Sequence, residues 1–299
     1  MGNIIKRENK VETVILGAAR AGSTTLAAYL SSHKNINFSK EKEVHFFAFN
    51  DLFAKGEKYI NSFFQKNEKI RITADTYLLV DENAPKKVLQ YNPSMKFILI
   101  LREPVSRAFS GYNYSVRNGY ISEDLSFIDA CRNEQKYKND NDIVQKNNKC
   151  NILRSKYSFN LKKWEKYFDK DAFLLLKTSE LKENPQKIIN RIEKFLKIES
   201  SDIFIDEKEK NKAFSVKLKF LQQLLVNRNN PIRKTLKKIM PSFVNKVLIK
   251  SGIVVKIANM NRKTASYSKI TEAEHEFAFN LLKEDMENLK LEHNIDFFK

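Results

Sequence analysis

Three short apolar runs punctuate an otherwise polar chain: residues 14–16 (VIL), 97–101 (FILIL) and 173–176 (FLLL). Each is too short for a helix and is bounded by polar residues, as strands buried on both faces of a sheet are. Between and after them the period changes to that of helices. STTLAAYLSS follows the first run. PVSRAFSGYNYSVRNG follows the second, with Pro104 at a helix start, where its missing N–H costs nothing. NPQKIINRIEKFLKI follows the third and sets Ile188, Ile192 and Phe195 with Leu196 on one face. Strands alternating with helices predict an α/β fold of three layers, α/β/α, around a central parallel sheet. In such sheets ligands gather beyond the carboxyl ends of the strands.

Two stretches break the alternation. Residues 131–149 (CRNEQKYKNDNDIVQKNNK) are polar and poor in aromatics, and read as a mobile loop. Residues 206–262 carry Leu236, Ile239, Met240, Phe243 and Val247 at helical spacing beside lysines and arginines, the pattern of basic amphipathic helices laid on a core. No repeat or low-complexity linker appears. The chain therefore reads as a single domain over residues 1–299, with 206–262 as its basic helical region.

Charge sharpens that second stretch. Lys and Arg number 54 against 36 Asp and Glu, a net +18 that points to an anionic partner. From Lys210 to Ile270 there are 15 Lys/Arg and no acid, so +15 of the +18 lies in about a fifth of the chain. A basic face of this kind is as consistent with plain solvation as with binding. Cys131 and Cys150 are the only cysteines, and His33, His45, His275 and His293 are scattered, so nothing has the spacing of a structural zinc site. The start, MGNIIKRENKVE, lacks the apolar core of a secretory signal, and no later stretch reaches 18 apolar residues. The expectation is a cytoplasmic protein, with the basic region able to rest on the inner face of a membrane.

Directly after the first apolar run comes LGAARAGSTT, residues 16–25. Gly17 and Gly22 have the spacing of a phosphate-cradling P-loop, G-x-x-x-x-G-K-S/T, and Thr24 falls at the Ser/Thr position. The lysine position, however, holds Ser23, and the cation Arg20 lies inside the loop. Backbone N–H groups from Ala21 through Gly22, Ser23, Thr24 and Thr25, at the positive end of a helix, suit an anion. Loss of the lysine removes the group that reaches the β- and γ-phosphates of a triphosphate. The second apolar run ends in LREPVSRAFSGY, which delivers Arg102 where an NTPase needs a metal-binding carboxylate. Ser110 follows eight residues on, and the two together suit a second phosphate.

Taken together, these motifs resemble the sulfotransferases that use 3′-phosphoadenosine 5′-phosphosulfate (PAPS), in particular the carbohydrate type related to heparan sulfate sulfotransferases. GAARAGSTTL is similar to that family's 5′-phosphosulfate loop, and LREPVSRAFSGYNY to its 3′-phosphate motif. KEVHFF (42–47), YNPSMKFILILREP, LRSKYSFNLKKWEKYF, LLLKTSELKENPQKIINRIEKFL and the closing MENLKLEHNIDF extend the likeness over most of the chain. The resemblance implies a fold related to P-loop NTPases, PAPS as co-substrate without a metal, and transfer of a sulfuryl group to a hydroxyl or amine of a saccharide. It assigns Arg102 and Ser110 to the 3′-phosphate, with Arg262 and Lys263 of NRKTASY closing over the same end. It puts Glu43 at the position of the general base, with His45 as the competing base and Lys42 beside them to contact the sulfonate or an acidic acceptor.

One departure matters. Members of the type carry a Glu-Lys-Ser/Thr-Pro segment whose lysine helps the transfer, whereas ITADTYLLVDENAP (72–85) has no lysine until Lys86. Either Arg20 or Lys42 takes that role or the transition state is stabilised less well, and Asp75 is left to bind an acceptor hydroxyl. The expected partner is a glycan, anionic or lipid-linked. Two rival readings are a P-loop kinase or NTPase, opposed by Ser23 and Arg102, and a nucleic-acid-binding protein built on residues 210–270, which show no recognised module.

Overall fold

The computed structural model of the chain describes residues 10–201 and 269–298, with 214–216, Thr235 and 262–264 between them. It divides into two compact units. One comprises Met1–Arg107, Arg154–Glu209 and Leu282–Lys299, and the other Ala108–Leu153 and Lys210–Leu281.

The first unit is built on a five-stranded parallel sheet. Its strands are β1 (Thr13–Gly17), β2 (Ile36–Glu43), β3 (Ile70–Ala74), β4 (Lys96–Leu101) and β5 (Phe173–Lys177), in the order β2-β3-β1-β4-β5. The helices between them are α1 (Ser23–Ser31), the short α2 (Asn50–Phe53) and α3 (Gly56–Asn61), and α4 (Ala84–Tyr91). Then come α5 (Pro104–Arg117), α6 (Phe127–Asn133), α7 (Ile143–Lys149), α8 (Tyr157–Trp164), α9 (Thr178–Glu183) and α10 (Pro185–Leu196). Alternate residues of the central strands face opposite sides: Val14, Leu16, Phe97, Leu99 and Leu101 join one apolar cluster, and Ile15, Ile72, Ile98 and Ile100 join another. Both faces are covered, as a parallel sheet requires. β1 is central, with β3 on one side and β4 on the other, so the turn leaving it opens where the strand order reverses, the usual place for a ligand crevice.

The three predicted strands are present as β1, β4 and β5, and the three predicted helices as α1, α5 and α10. α5 begins at Pro104, and α10 buries Ile188, Ile192 and Leu196. β2 and β3 went unforeseen because polar residues interrupt them. In β3, buried Arg71 donates to Asn61 Oδ1 at 3.0 Å, and the Thr73 hydroxyl lies 3.0 Å from that of Ser39 on β2. Partners distant in sequence make these polar positions tolerable inside a sheet.

Residues 131–149 are not one mobile loop. In the second unit they include the end of α6 and the whole of α7, whose start is capped by Asp142 accepting from the Val144 and Gln145 N–H groups. Glu134, buried, accepts from the N–H groups of Ile152 at 2.6 Å and Leu153 at 3.1 Å. Polarity misled because here it serves capping and buried hydrogen bonds rather than solvation.

Most of the basic stretch 206–262, including Arg233, Lys234, Lys237, Lys238 and the apolar residues at 236–247, lies outside the described residues. Of the parts that are described, Thr235 is helical as expected, whereas the others are strands. β6 (Phe214–Val216) pairs antiparallel with β7 (Arg262–Thr264), so Arg262 and Lys263 stand on a strand. A further helix, α11 (Glu272–His293), follows. Among the described residues, no helix is long and apolar enough to cross a membrane.

Candidate functional site

At the carboxyl edge of the sheet, β1 passes through Gly17 into the phosphate-loop sequence, and α1 begins at Ser23. Gly22 caps the helix with φ 102°, a left-handed conformation that glycine adopts without a steric penalty. A Cβ there would also lie 3.5 Å from both Ile100 and Leu181. No side chain caps the helix and its first turn carries no acid, while the first helical bond runs from the Leu26 N–H to Gly22 O. The N–H groups of Ser23, Thr24 and Thr25 therefore precede the helical ladder, where an anion is favoured. The Ala21 N–H, counted among the donors from sequence, instead closes the loop on Ala18 O at 3.2 Å.

Arg20 also has a left-handed backbone, φ 69°, unusual for a side chain with a Cβ and a form of strain that gathers at functional sites. Its carbonyl accepts from Arg102 Nη1 at 3.4 Å, which ties the residue after β4 to the loop after β1. The Tyr157 hydroxyl donates to Arg102 O at 3.0 Å, and burial pushes this phenol well above its ordinary range. Thr178, at the end of β5, brings its hydroxyl to both Ala21 O and Leu101 O. Sequence reasoning did not single out Thr178, since nothing local marks a threonine that braces a loop 157 residues away. Ser110 is a buried residue of α5 in the second unit.

The second part of this edge lies at the ends of β2 and β3. Val44, Phe46 and Phe47 are buried, the two phenylalanines among Phe53 and Tyr91, and Lys87 Nζ donates to Phe47 O at 3.1 Å. This anchoring leaves Glu43 and His45 turned to the strand ends, with His45 at φ 58°. Lys42 Nζ donates to Glu43 Oε1 at 2.8 Å, and the Thr76 hydroxyl donates to the same oxygen at 3.0 Å. His45 Nδ1 lies 3.1 Å from Asp75 Oδ1, and His45 Nε2 lies 3.9 Å from Glu43 Oε2. Burial pushes the Glu43 carboxyl up, but Lys42, His45 and Thr76 together outweigh it and hold the group below the usual carboxylate value.

The fold therefore brings Lys42, Glu43 and His45 together and adds Asp75 and Thr76. Arg154, also buried, donates to Thr76 O at 3.2 Å and so braces the segment that carries them. Neither Thr76 nor Arg154 had a signal in the sequence beyond its motif neighbours. The donor atoms of Glu43, His45 and Asp75 lie within 4.8 Å of one another, yet they are turned to each other, to Lys42 and to Thr76. They form two hydrogen-bonded sets, Lys42 and Thr76 on Glu43 and His45 on Asp75, set side by side.

Comparison with known proteins follows the same residues. A family model described as "Sulfotransferase domain" matches residues 10–251. "Heparan sulfate glucosamine 3-O-sulfotransferase 5" of Mus musculus is 26% identical over 190 residues, covering 62% of this chain and 53% of that protein. "Bifunctional heparan sulfate N-deacetylase/N-sulfotransferase 1" of Caenorhabditis elegans is 26% identical over 190 residues, covering 62% of this chain and 22% of that protein. The chain thus spans about half the length of the first relative and about a fifth of the second. Among solved structures, a sulfotransferase from Alicyclobacillus acidocaldarius shares the fold with a TM-score of 0.56 at 21% identity, over 68% of this chain and 87% of that one.

Proposed function

The chain belongs to the sulfotransferase family, and on that premise we propose that it transfers the sulfuryl group of PAPS to a hydroxyl or amine of a saccharide acceptor. The observation that carries this reading is one shared edge. The anion loop after β1 and the Lys42–Glu43–His45–Asp75 cluster after β2 and β3 open at the carboxyl ends of neighbouring strands of one sheet. An acceptor deprotonated at the cluster would attack sulfur held at the loop, and the bond from sulfur to the 5′-phosphate oxygen would break in line. The N–H groups at the start of α1, with Arg20, stabilise charge gathering on the leaving phosphate. Arg102 takes the 3′-phosphate, and the acceptor's proton passes to the cluster that holds Glu43 beside Lys42.

The heparan sulfate named for both curated relatives supports a saccharide of that kind as acceptor. A kinase or NTPase reading is disfavoured by Ser23 at the lysine position and by Arg102 at the end of β4. The test pairs binding with turnover. Adenosine 3′,5′-bisphosphate raises the melting temperature without added metal, while ATP with magnesium and a short oligonucleotide do not. Sulfur-35 from labelled PAPS appears on heparan sulfate. Stabilisation by ATP with magnesium in preference to the bisphosphate sinks the reading.

A further inference from the structure

Two carboxylates and one imidazole meet at the ends of β2 and β3, and they are not equivalent. Glu43 Oε1 is occupied by two donors, the Lys42 ammonium and the Thr76 hydroxyl. A carboxylate held this way is a firm anion and a poor base at neutral pH, because proton transfer is most effective when the base titrates near the working pH. Its other oxygen, Oε2, is the one that faces the imidazole.

His45 is held from the opposite side. A carboxylate only accepts, so the Asp75 oxygen 3.1 Å from Nδ1 selects the tautomer that carries its proton there. The same Asp75 oxygen accepts the Tyr77 N–H at 3.0 Å, which fixes where the carboxylate stands. Asp75 is 3% exposed, and its second oxygen, Oδ2, has no hydrogen-bond partner among the described residues. A buried, half-satisfied carboxylate costs stability, and it stands directly against one imidazole. With Nδ1 protonated, Nε2 is the accepting nitrogen of the neutral ring. Glu43 Oε2, 3.9 Å away, is too far for a hydrogen bond to Nε2 and close enough to favour a positive charge on the ring.

We propose that Asp75 is a positioning residue that fixes His45 as the Nδ1–H tautomer, so that a Glu43–His45 pair, rather than Glu43 alone, receives the acceptor's proton. The proposal rests on the sulfuryl-transfer reading above and assigns the fate of the proton within it. Glu43 Oε2 stabilises the positive charge that gathers on the ring. As its oxygen bonds to sulfur, the O–H bond breaks and the proton passes to His45 Nε2. The sulfur–oxygen bond to the 5′-phosphate breaks, and its electron pair leaves with adenosine 3′,5′-bisphosphate. The resulting imidazolium lies between two carboxylates, Asp75 and Glu43. Among the described residues, Tyr77 at 4.8 Å between ring centres and Phe49 at 5.5 Å also face the ring, with Lys42 behind Glu43. In the stretch where the resembling enzymes carry a lysine, this chain would thus hold an acid that serves the proton rather than the sulfonate.

Long-range proton–nitrogen-15 correlation spectra read the tautomer of each of the four histidines with no acceptor present, and His45→Gln identifies the His45 signals. The neutral ring is expected as Nδ1–H in the wild type, with that preference lost in Asp75→Asn. With labelled PAPS and heparan sulfate, kcat/KM should show an acid limb that reports the imidazole. Asp75→Asn should move that limb to lower pH, because removing an anion disfavours the imidazolium, and should lower kcat roughly 10²-fold or more. Asp75→Glu should restore part of it. Unchanged calorimetric affinity for adenosine 3′,5′-bisphosphate reports that each variant is folded.

An Nε2–H tautomer in the wild type overturns the proposal. So does an acid limb at or below about 4.3, the carboxylate value, that Asp75→Asn leaves in place; sulfuryl transfer itself would then stand, with Glu43 as sole base. If the wild type transfers no label to heparan sulfate, the acceptor reading falls, and the tautomer spectra still decide the role of Asp75.

Discussion

β2 runs between two histidine–carboxylate pairs with the same 3.1 Å separation and opposite surroundings. At its amino end, His33 Nε2 faces Glu193 Oε1 of α10, and its Nδ1 accepts the Asn35 N–H at 3.1 Å. Glu193 also accepts the Ser201 N–H at 2.9 Å and the Ser200 hydroxyl at 3.0 Å. The side chains are 0% and 4% exposed, and both imidazole nitrogens and both carboxylate oxygens are engaged. At the carboxyl end, His45 is 14% exposed, its Asp75 partner keeps an unsatisfied oxygen, and a second carboxylate stands 3.9 Å away. The first pair is closed and ties α10 to the start of β2. The second is more exposed and stands on the side where substrate chemistry would occur. Proximity of histidine to acid thus carries little meaning by itself; what matters is whether the remaining lone pairs and protons are already used.

The largest effect that should separate the pairs is on turnover. Glu43→Gln and His45→Ala are each expected to lower kcat by about 10²–10⁴, the usual contribution of acid–base catalysis, with bisphosphate affinity unchanged by calorimetry. His33→Ala should leave the turnover of the folded protein intact, and an equal loss there would erase the contrast. Arg102→Ala serves as a control on the same edge outside both pairs. It should weaken bisphosphate binding by roughly 1.5–3 kcal/mol, as for a hydrogen bond to a charged group. Urea unfolding should read the reverse order for stability: His33→Ala costs about 1–3 kcal/mol by stripping a partner from a buried carboxylate, and His45→Ala costs less.

The smallest effect is the acid dependence of stability. Burial pushes the Glu193 carboxyl up, but the Ser201 N–H, His33 and Ser200 outweigh it and hold the group below its usual value. A carboxyl lowered in the folded state contributes stability that is present above its unfolded value, about 4.3, and is lost as pH falls through the folded value. The Glu193 contribution to unfolding free energy should therefore be level from neutral pH down to about pH 5 and decline below it. Glu193→Gln should flatten part of that decline. A decline of the same steepness in this variant would assign the acid sensitivity to other carboxylates.

The parts that were legible in the sequence share one property: their information is local. The apolar runs of β1, β4 and β5 are continuous because those strands are covered on both faces, and the anion loop is a single stretch from Gly17 to Thr25. Lys42, Glu43 and His45 are nearly adjacent, so a motif could bring them to attention together. Asp75 was noticed for a missing lysine and read as a possible acceptor contact. Its hydrogen bond to His45 spans 30 positions and exists because β2 and β3 pair in parallel, with Glu43 level with Ala74.

The order of hydrophobic and polar residues was sufficient by itself to determine the layered α/β architecture, and the glycine spacing marked the loop proposed to bind an anion, since strand burial and helix N-termini follow from neighbours in the chain. Only the tertiary structure decided that β2 and β3 are strands at all, since Arg71, Thr73 and Ser39 become compatible with a sheet interior once they find one another and Asn61. It also decided which nitrogen of each histidine faces an acid, Nε2 in His33 and Nδ1 in His45. A hydrogen bond depends on distance and direction in space, and those are set by strand register and helix packing, which no stretch of the chain encodes alone.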